Sequence, residues 1–247
     1  MGSLALLPLL FLWPSDGAGP GFAERQRTAP RVVAARQEHG ADVRRLFSDK
    51  GLAYPAKVLL VRAFKHEGEL EVWAGASASA PLTLVKTYPI CARSGRLGPK
   101  RRQGDLQVPE GVYKIDRFNA WSSYHLSLGV DYPNASDRAL GERPLGGDIF
   151  IHGDCVTIGC IPIEDEPIEE LYLMALDARL AGGRAVVHIF PRRLSEAGLA
   201  ALLREERPGL ELRRFWEDLA PIYRAFEDKK VLPRVRIDAK GRYVVRR

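Results

Sequence analysis

The sequence lacks a hydrophobic run long enough to cross a membrane as a helix. The stretch Leu4 to Trp13 spans only ten residues, whereas a transmembrane helix needs about 20. An apolar run of this length followed by small residues suits a secretory signal peptide. We therefore expect residues 1–21 to be a signal with its cleavage site near Gly17 to Gly21, and the mature chain to be a protein of the periplasm or cell envelope without a membrane span.

Cysteine is also scarce, and neither an internal repeat nor a low-complexity segment appears. The chain has three cysteines, Cys91, Cys155 and Cys160. An odd number in an exported protein indicates a free reactive thiol or an intermolecular link. No cysteine closely follows the apolar run, which excludes a lipoprotein signal.

A concentrated basic surface of the nucleic-acid-binding kind is missing as well. The formal charge is +6, from 37 basic and 31 acidic residues, but the basic residues are dispersed. Local clusters occur only at Arg96, at Lys100 to Arg102 and in the tail, without an accompanying aromatic-basic motif. We expect no nucleic-acid partner and favour a solvated face or attraction to an anionic envelope polymer.

What the sequence does contain is a series of β-type runs followed by helical patterns. The predicted strands are Val58–Phe64, Leu70–Ala74, Leu82–Tyr88, Gly111–Phe118, Tyr124–Val130, Asp148–His152 and Ala185–Phe190. Helices are predicted from Asp165 to Gly182, over Ser195–Glu206 and over Glu211–Asp228, before a basic hairpin in the tail. The fold class is thus mainly β (α+β), with residues 22–56 as a linker or leader helix, 57–193 as the catalytic domain and 194–247 as a helical appendage with a basic tail.

Three expectations concern single features outside the predicted catalytic pair. The segment Ser94 to Gly111 has the composition of a long loop, which either borders a substrate cleft or is a mobile decoration. His39 is expected to be solvated, and His188, inside an apolar strand, to be a hydrogen-bonded core histidine rather than a catalytic one.

The residues best suited to catalysis lie between His152 and Cys160. An apolar run ends at His152, and a short glycine-containing loop then leads to Cys160 ahead of a helix. A thiol becomes a strong nucleophile only as thiolate, so it needs a neighbouring imidazole to accept its proton. A loop of this length can fold back and bring the two side chains together. The pattern predicts a cysteine enzyme.

At these residues the sequence resembles the L,D-transpeptidase (YkuD-like) catalytic domain family. The resemblance rests on His152-Gly153 followed by Thr157-Ile158-Gly159-Cys160-Ile161, on Lys86-Thr87-Tyr88-Pro89-Ile90-Cys91, on Ser94-Gly95-x-Leu97-Gly98-Pro99-Lys100, on Gly104-Asp105-x-Gln107-x-Pro109-Glu110-Gly111-x-Tyr113, and on Tyr124-His125-Leu126-Ser127-Leu128. It points to the murein L,D-transpeptidase branch that includes enzymes releasing the murein lipoprotein. The expected fold is a β-sandwich or barrel-like catalytic domain with C-terminal helices.

The resemblance also implies roles for individual residues. Cys160 is the nucleophile, His152 its base, and the Gly153 carbonyl orients the imidazole in place of a carboxylate. Backbone N–H groups near Gly159 and Cys160 are expected to hold the oxyanion. No cofactor and no metal are implied.

Four residues are expected at the substrate-binding surface. Thr157 and Gly159 flank the nucleophile in the motif. Tyr124 and His125 could face substrate because the equivalent strand in the family runs beside the catalytic one, although their spacing alone favours cross-strand packing. The implied substrates are peptidoglycan stem peptides, with an outer-membrane lipoprotein as a further candidate partner.

Several alternatives stay open at the level of sequence. Ile158 stands where the family has a second histidine, which leaves open whether an amine acceptor gives a cross-link or water gives hydrolysis. Cys155 is a rival nucleophile, and it could instead pair with Cys91 in a disulfide. A zinc site of His152, Cys155 and Cys160 is a further alternative without an evident fourth ligand. A non-catalytic wall-binding protein with an inherited motif is the last.

Overall fold

A computed structural model describes residues 20–246 of the chain, and the predicted signal segment Leu4 to Trp13 lies outside them. The strands are β1 Val58–Phe64, β2 Glu69–Gly75, β3 Thr83–Pro89, β4 Gly111–Asn119, β5 Ser127–Val130, β6 Phe150–His152, β7 Ile161–Pro162, β8 Arg184–Phe190, β9 Val235–Ile237 and β10 Tyr243–Val245. The helices are α1 Pro20–Thr28, α2 Pro30–Ser48, α3 Ala135–Leu140, α4 Asp165–Leu180, α5 Glu196–Glu206 and α6 Leu210–Lys229. The architecture is α+β, and no helix within these residues has the length and apolar character of a membrane span.

Eight strands form one mixed sheet in the order β3-β2-β1-β8-β4-β5-β6-β7, curled into a half-barrel. All seven strands predicted before the tail hairpin are present. Val58–Phe64 has the predicted bounds, and the other six differ at one or both ends. β1 and β8 pair in parallel near the centre, and β6 and β7 pair in parallel at one edge. Register shifts between Val72 and Trp73 and between Ile115 and Arg117 interrupt two ladders. Such bulges increase local twist and help a sheet to curl.

Helices cover both faces of the sheet, which explains why β1 is buried throughout. Leu59, Val61 and Ala63 pack into a core shared with α1, α2 and α4. Phe64 instead joins the core formed by α5, α6 and the C-terminal hairpin. Since successive side chains of a strand point to opposite faces, a strand covered on both sides is buried at every position, and all residues of β1 except Arg62 are apolar.

The predicted leader segment consists of α1 and α2, which pack on the domain. Arg36 forms a two-pronged ion pair with Asp177 of α4, with nitrogen–oxygen distances of 2.9 and 2.6 Å. His39 was expected to be solvated, and this is wrong. Its side chain is only 12% exposed, and its Nε2 lies 2.9 Å from Glu169 Oε2 of α4.

The C-terminal helices share a core with the sheet. Trp216 of α6 is fully buried, and its indole N–H donates to the buried carboxylate of Glu110, at 2.8 Å. The predicted hairpin forms from β9 and β10, and Tyr243 at its second strand accepts hydrogen bonds from Asn134 and from the Val112 N–H. These contacts tie residues 194–246 to the loop and strand preceding the candidate site.

His188 is buried as expected, but it is not hydrogen-bonded. Neither ring nitrogen has a hydrogen-bond partner within residues 20–246. Burial and, secondarily, the neighbouring Arg62 guanidinium lower the pKa of His188 to about 3. The imidazole is therefore neutral at physiological pH, and its contribution is packing.

Asp137 is a buried carboxylate at the start of α3. It accepts hydrogen bonds from the Tyr113 hydroxyl and from the Asn134 N–H, at 2.9 and 3.0 Å, while Asn134 caps the helix in return. Burial is the larger influence and raises the pKa of Asp137 from 3.8 to about 6, against these hydrogen bonds.

This raised pKa predicts a pH-dependent stability. Because the folded state binds the proton of Asp137 more tightly than the unfolded state, the contribution is fully present below pH 3.8 and is lost as the pH rises through about 6. A shift of this size corresponds to about 3 kcal/mol. Urea unfolding from pH 4 to 7 should show this loss in the wild type and not in Asp137→Asn, whereas Asp42→Asn, at an exposed carboxylate, should follow the wild type. Parallel curves for all three proteins would contradict the assignment.

Candidate active site

The candidate site is built on the short parallel pairing of β6 and β7. Ile151 lies opposite Ile161, and His152 lies opposite Pro162. The chain therefore leaves the sheet after His152 and returns to the same strand edge at Ile161. Continuing this register by one residue places Cys160 level with Phe150, and Phe150 and His152 point to the same face because they are two residues apart. The Cys160 thiol lies within 3.6 Å of the Asp148 carbonyl oxygen, to which it donates.

His152 is held in one tautomer. Its side chain is 1% exposed, and its Nδ1 lies 2.5 Å from the Gly153 carbonyl oxygen. A carbonyl can only accept, so Nδ1 carries the proton and Nε2 is left with a lone pair. Burial lowers the pKa of His152 below its ordinary value. A side chain at position 153 would overlap the Asp165 carboxylate and approach His125 Cβ to 2.9 Å, so only glycine fits there.

Cys160 is the free cysteine of the described residues, and it is half-buried. Burial raises the pKa of its thiol, although a hydrogen bond with the Phe150 backbone opposes the shift. With the pKa of the imidazole lowered and that of the thiol raised, the pair is neutral in the resting protein.

Thr157 closes the turn that presents the thiol. Its hydroxyl donates to the Cys160 carbonyl oxygen at 2.8 Å and accepts from the Gly159 and Cys160 N–H groups at 3.1 and 2.9 Å. These two N–H groups are the expected oxyanion donors, and in the resting structure both donate to Thr157 instead. Their role toward an oxyanion stays a prediction. Gly159 adopts a φ of +138°, a conformation that favours glycine.

A disulfide joins Cys91 to Cys155, with the Cα atoms 5.6 Å apart. The Cys91 N–H also donates to the Pro162 carbonyl at 3.1 Å, which fastens the end of β3 beside β7. The pairing suggested by the odd cysteine count is thus confirmed. The alternatives of Cys155 as nucleophile and as zinc ligand are wrong, because its sulfur is already bonded.

Tyr124 and His125 lie in a turn before β5, and the predicted strand start at Tyr124 is wrong because β5 begins at Ser127. The Tyr124 ring lies against the imidazole of His152, with centroids 4.8 Å apart. His125 has a φ of +64° and its Nε2 lies 2.6 Å from Glu169 Oε1. The family expectation that this segment runs beside the catalytic strand is confirmed, since β5 pairs with β6.

Arg31 of α2 holds this turn and was not identified from the sequence. Its Nη1 donates to the Ser122 and His125 carbonyl oxygens, both at 2.5 Å. Glu169 of α4, also missed, accepts from His125 while contacting His39 of α2. Arg31 is more than 90 residues from the turn in the sequence, and Glu169 lies on another helix, 44 residues after His125. No local sequence pattern could connect either residue with the turn.

A cavity of about 260 Å³ opens beside Cys160. Its lining comprises Ala63, Lys65, His66, Ile90, Ala92, Arg93, Ser94, Gly95, Arg96, Leu97, Val108, Cys160, Ile161 and Glu206. The loop from Ser94 to Gly111 thus borders the thiol. That the cavity is a substrate cleft stays a prediction.

Two carboxylates hold this loop, the half-buried Asp105 and the buried Glu110. Asp105 accepts hydrogen bonds from Lys100 Nζ at 2.6 Å and from three backbone N–H groups of the loop. Glu110 accepts from Lys65 Nζ at 3.0 Å and from the Gly98 N–H at 2.7 Å, in addition to Trp216. The cavity wall is therefore attached to Lys65, directly after β1, and to Trp216 of α6.

Comparisons with known sequences relate the chain to proteins of one family. The family model of the L,D-transpeptidase catalytic domain (YkuD) matches residues 76–189. The chain is 36% identical over 188 residues, 75% of this chain and 72% of the relative, to "Putative L,D-transpeptidase YafK" of Escherichia coli strain K12 and, equally, of O157:H7. The chain therefore belongs to the L,D-transpeptidase family.

Among solved structures, the helical cell shape determining protein Pgp2 from Campylobacter jejuni is similar. The match has a TM-score of 0.45 and 18% identity, and it covers 79% of this chain and 80% of that chain.

Removing Arg31 tests how the Tyr124 turn is held. Arg31→Ala deprives two carbonyl oxygens of their donor, a loss of about 1 kcal/mol for each bond. We expect faster amide hydrogen exchange in residues 121–126, with little change in the rest of the sheet. Arg27→Ala, at an exposed α1 arginine, is the matched control. Unchanged exchange in Arg31→Ala would show that the turn is held by other contacts.

Proposed function

We propose that this protein is a cysteine-dependent L,D-transpeptidase that acts on peptidoglycan stem peptides in the cell envelope. The observation that carries the proposal is the β6–β7 pairing, which brings the free thiol of Cys160 to the sheet edge that ends in His152. Family membership supports a peptidoglycan-related substrate. The periplasmic location follows from the predicted signal and agrees with a disulfide, which needs an oxidising compartment.

The chemistry begins from a neutral pair. His152 Nε2 accepts the thiol proton as the Cys160 sulfur attacks the carbonyl carbon that follows an L-centre of the stem peptide. The tetrahedral intermediate then expels the amine leaving group, which takes the proton back from the imidazolium. A thioester acyl-enzyme results, and attack by a second amine gives the cross-link. The Gly153 carbonyl keeps Nδ1 protonated throughout the cycle.

Oxyanion stabilisation needs a local rearrangement. The Gly159 and Cys160 N–H groups can turn to the oxyanion only if they leave the Thr157 hydroxyl. Thr157 would then control when the donors become available. Tyr124 and His125, which lie at the His152 side of the site, complete the proposed substrate surface with Gly159.

Hydrolysis is the second candidate outcome, and Ile158 favours it. This side chain is 77% exposed beside the thiol, at the position where the family has a second histidine. An acceptor amine must be deprotonated before it attacks, and isoleucine cannot contribute to that step. Water would then resolve the thioester, and the protein would act as an amidase that releases a peptide or a covalently attached lipoprotein from the wall.

The nucleophile assignment is tested with purified muropeptides. Cys160→Ala should abolish product formation because no other free thiol lies near His152 within residues 20–246. The double variant Cys91→Ala/Cys155→Ala should retain measurable activity, because loss of the disulfide loosens the loop but leaves the proposed nucleophile in place. Mass spectrometry of the products also separates cross-linked from hydrolysed peptides.

The outcomes of this experiment are distinct. Equal loss of activity in both variants would overturn the assignment of Cys160. A wild-type protein that binds the cell wall but forms no product would favour a non-catalytic wall-binding protein.

The neutral resting pair predicts the pH dependence of thiol alkylation. Because burial raises the pKa of Cys160 above 9.0, the alkylation rate by iodoacetamide should still be rising at pH 9. A thiolate–imidazolium pair would instead react readily below pH 7. Mass spectrometry of the modified Cys160 peptide gives the rate, and the urea-unfolded protein, whose thiol titrates near its ordinary value, is the control. A plateau starting near pH 6 would contradict the neutral pair.

A further inference from the structure

A second, larger concavity lies next to the Cys160 cavity, between the loop from Ser94 to Gly111 and the C-terminal appendage. Its volume is about 860 Å³, and we refer to it as the cationic groove. Its lining comprises Arg96, Leu97, Gly98, Pro99, Arg101, Gln107, Ala139, Leu140, Gly209, Leu210, Glu211, Leu212, Arg214, Phe215, Asp218, Lys240 and Arg242. One wall is the loop from Arg96 to Gln107, and the other is formed by α6 and the tail hairpin.

The groove has an excess of positive charge that the protein does not neutralise. Asp218 accepts two hydrogen bonds from the guanidinium of Arg242, the one from Nη2 at 2.7 Å. The side chains of Arg96, Arg214 and Lys240 are exposed and have no hydrogen-bond or ion-pair partner among residues 20–246. Three cations therefore face solvent around one concavity, which is the arrangement that attracts a carboxylate-bearing ligand.

The groove floor is partly apolar. Arg101 lies over the Phe215 ring, with its guanidinium carbon 4.8 Å from the ring centroid. Leu210 and Leu140 leave 61% and 39% of their surface exposed in the lining. A ligand with both aliphatic stems and carboxylates would satisfy this combination, whereas a free inorganic anion would leave the apolar surface in water.

The groove adjoins the cavity at the candidate nucleophile. Arg96 and Leu97 line both concavities. Gln107, which lines the groove, also approaches the catalytic turn, since its carbonyl oxygen lies 3.2 Å from the Cβ position of Gly159. Arg96 and Leu97 therefore lie where the two concavities meet, and a peptide that passes Arg96 from the groove would reach the cavity that Cys160 lines.

We propose that the cationic groove is a binding site for an extended peptide with free carboxylates, whose reactive end reaches Cys160. Arg96, Arg214 and Lys240 bind its carboxylates, and Leu210 and Phe215 contact its aliphatic parts. This inference rests on the proposed function, because peptidoglycan stem peptides have this chemistry. It assigns substrate selection to the C-terminal appendage, which lies outside the family-matched residues 76–189.

Binding is measured first, with catalysis removed. The full-length Cys160→Ala protein is titrated calorimetrically with a soluble stem tetrapeptide, and with the same peptide after its carboxylates are amidated. In this background, Arg214→Glu/Lys240→Glu should weaken binding of the free peptide about tenfold or more, a loss of about 1.4 kcal/mol. Arg184→Glu, at an exposed arginine at the start of β8, should change binding less than about twofold. Both substituted positions of the double variant are on the surface, and circular dichroism confirms folding.

The amidated peptide separates charge recognition from other contacts. It should bind the Cys160→Ala protein about as weakly as the free peptide binds the double variant, and higher salt should reduce the difference. Equal binding of the free peptide to the parent and to the double variant would overturn the proposal. So would an amidated peptide that binds as tightly as the free one.

Kinetics with Cys160 intact then identify which peptide occupies the groove. If it holds the acyl donor, Arg214→Glu/Lys240→Glu should slow formation of the thioester acyl-enzyme. If it holds the acceptor, acylation should be unchanged and the ratio of transfer to hydrolysis should fall. Either result supports the groove, and an unchanged rate with an unchanged ratio contradicts it. A wild-type protein that forms no acyl-enzyme would instead contradict the proposed function, whatever the binding data show.

Discussion

The candidate chemistry depends on two residue pairs in a parallel ladder, Ile151 with Ile161 and His152 with Pro162. A parallel pair joined by so short a connection cannot include a crossover helix of the usual kind. The connecting residues instead fold into a tight loop, which the Cys91–Cys155 disulfide and the Thr157 hydroxyl both hold. This constraint brings an imidazole and a thiol, from the two ends of one loop, to the same sheet edge.

The surroundings of that edge keep both groups neutral at rest. Burial lowers the pKa of the imidazole and raises that of the thiol. The Gly153 carbonyl selects the tautomer that leaves Nε2 available. In the proposed mechanism the proton moves to the imidazole only as the sulfur attacks. A neutral thiol is also less reactive toward small oxidants than a thiolate.

Segments outside the family-matched residues 76–189 complete the site from two sides. On one side, α2 holds the turn that carries Tyr124 through Arg31. On the other side, α6 contacts the loop from Ser94 to Gly111 through the hydrogen bond from Trp216 to Glu110 and forms a wall of the cationic groove. The leader helices and the appendage therefore contribute to the geometry of the sheet edge as well as to the hydrophobic core.

The sequence by itself determined the strands, the long helices and the two residues proposed for catalysis. Alternation and apolar periodicity are local properties, and the motif around Cys160 is contained within nine residues. Only the tertiary structure decided which cysteines pair, that Thr157 occupies the expected oxyanion donors, and that Arg31, Glu169 and the groove cations surround the site. The physical reason is that these features depend on contacts between chain segments far apart in sequence, whose approach is set by packing on both faces of the sheet.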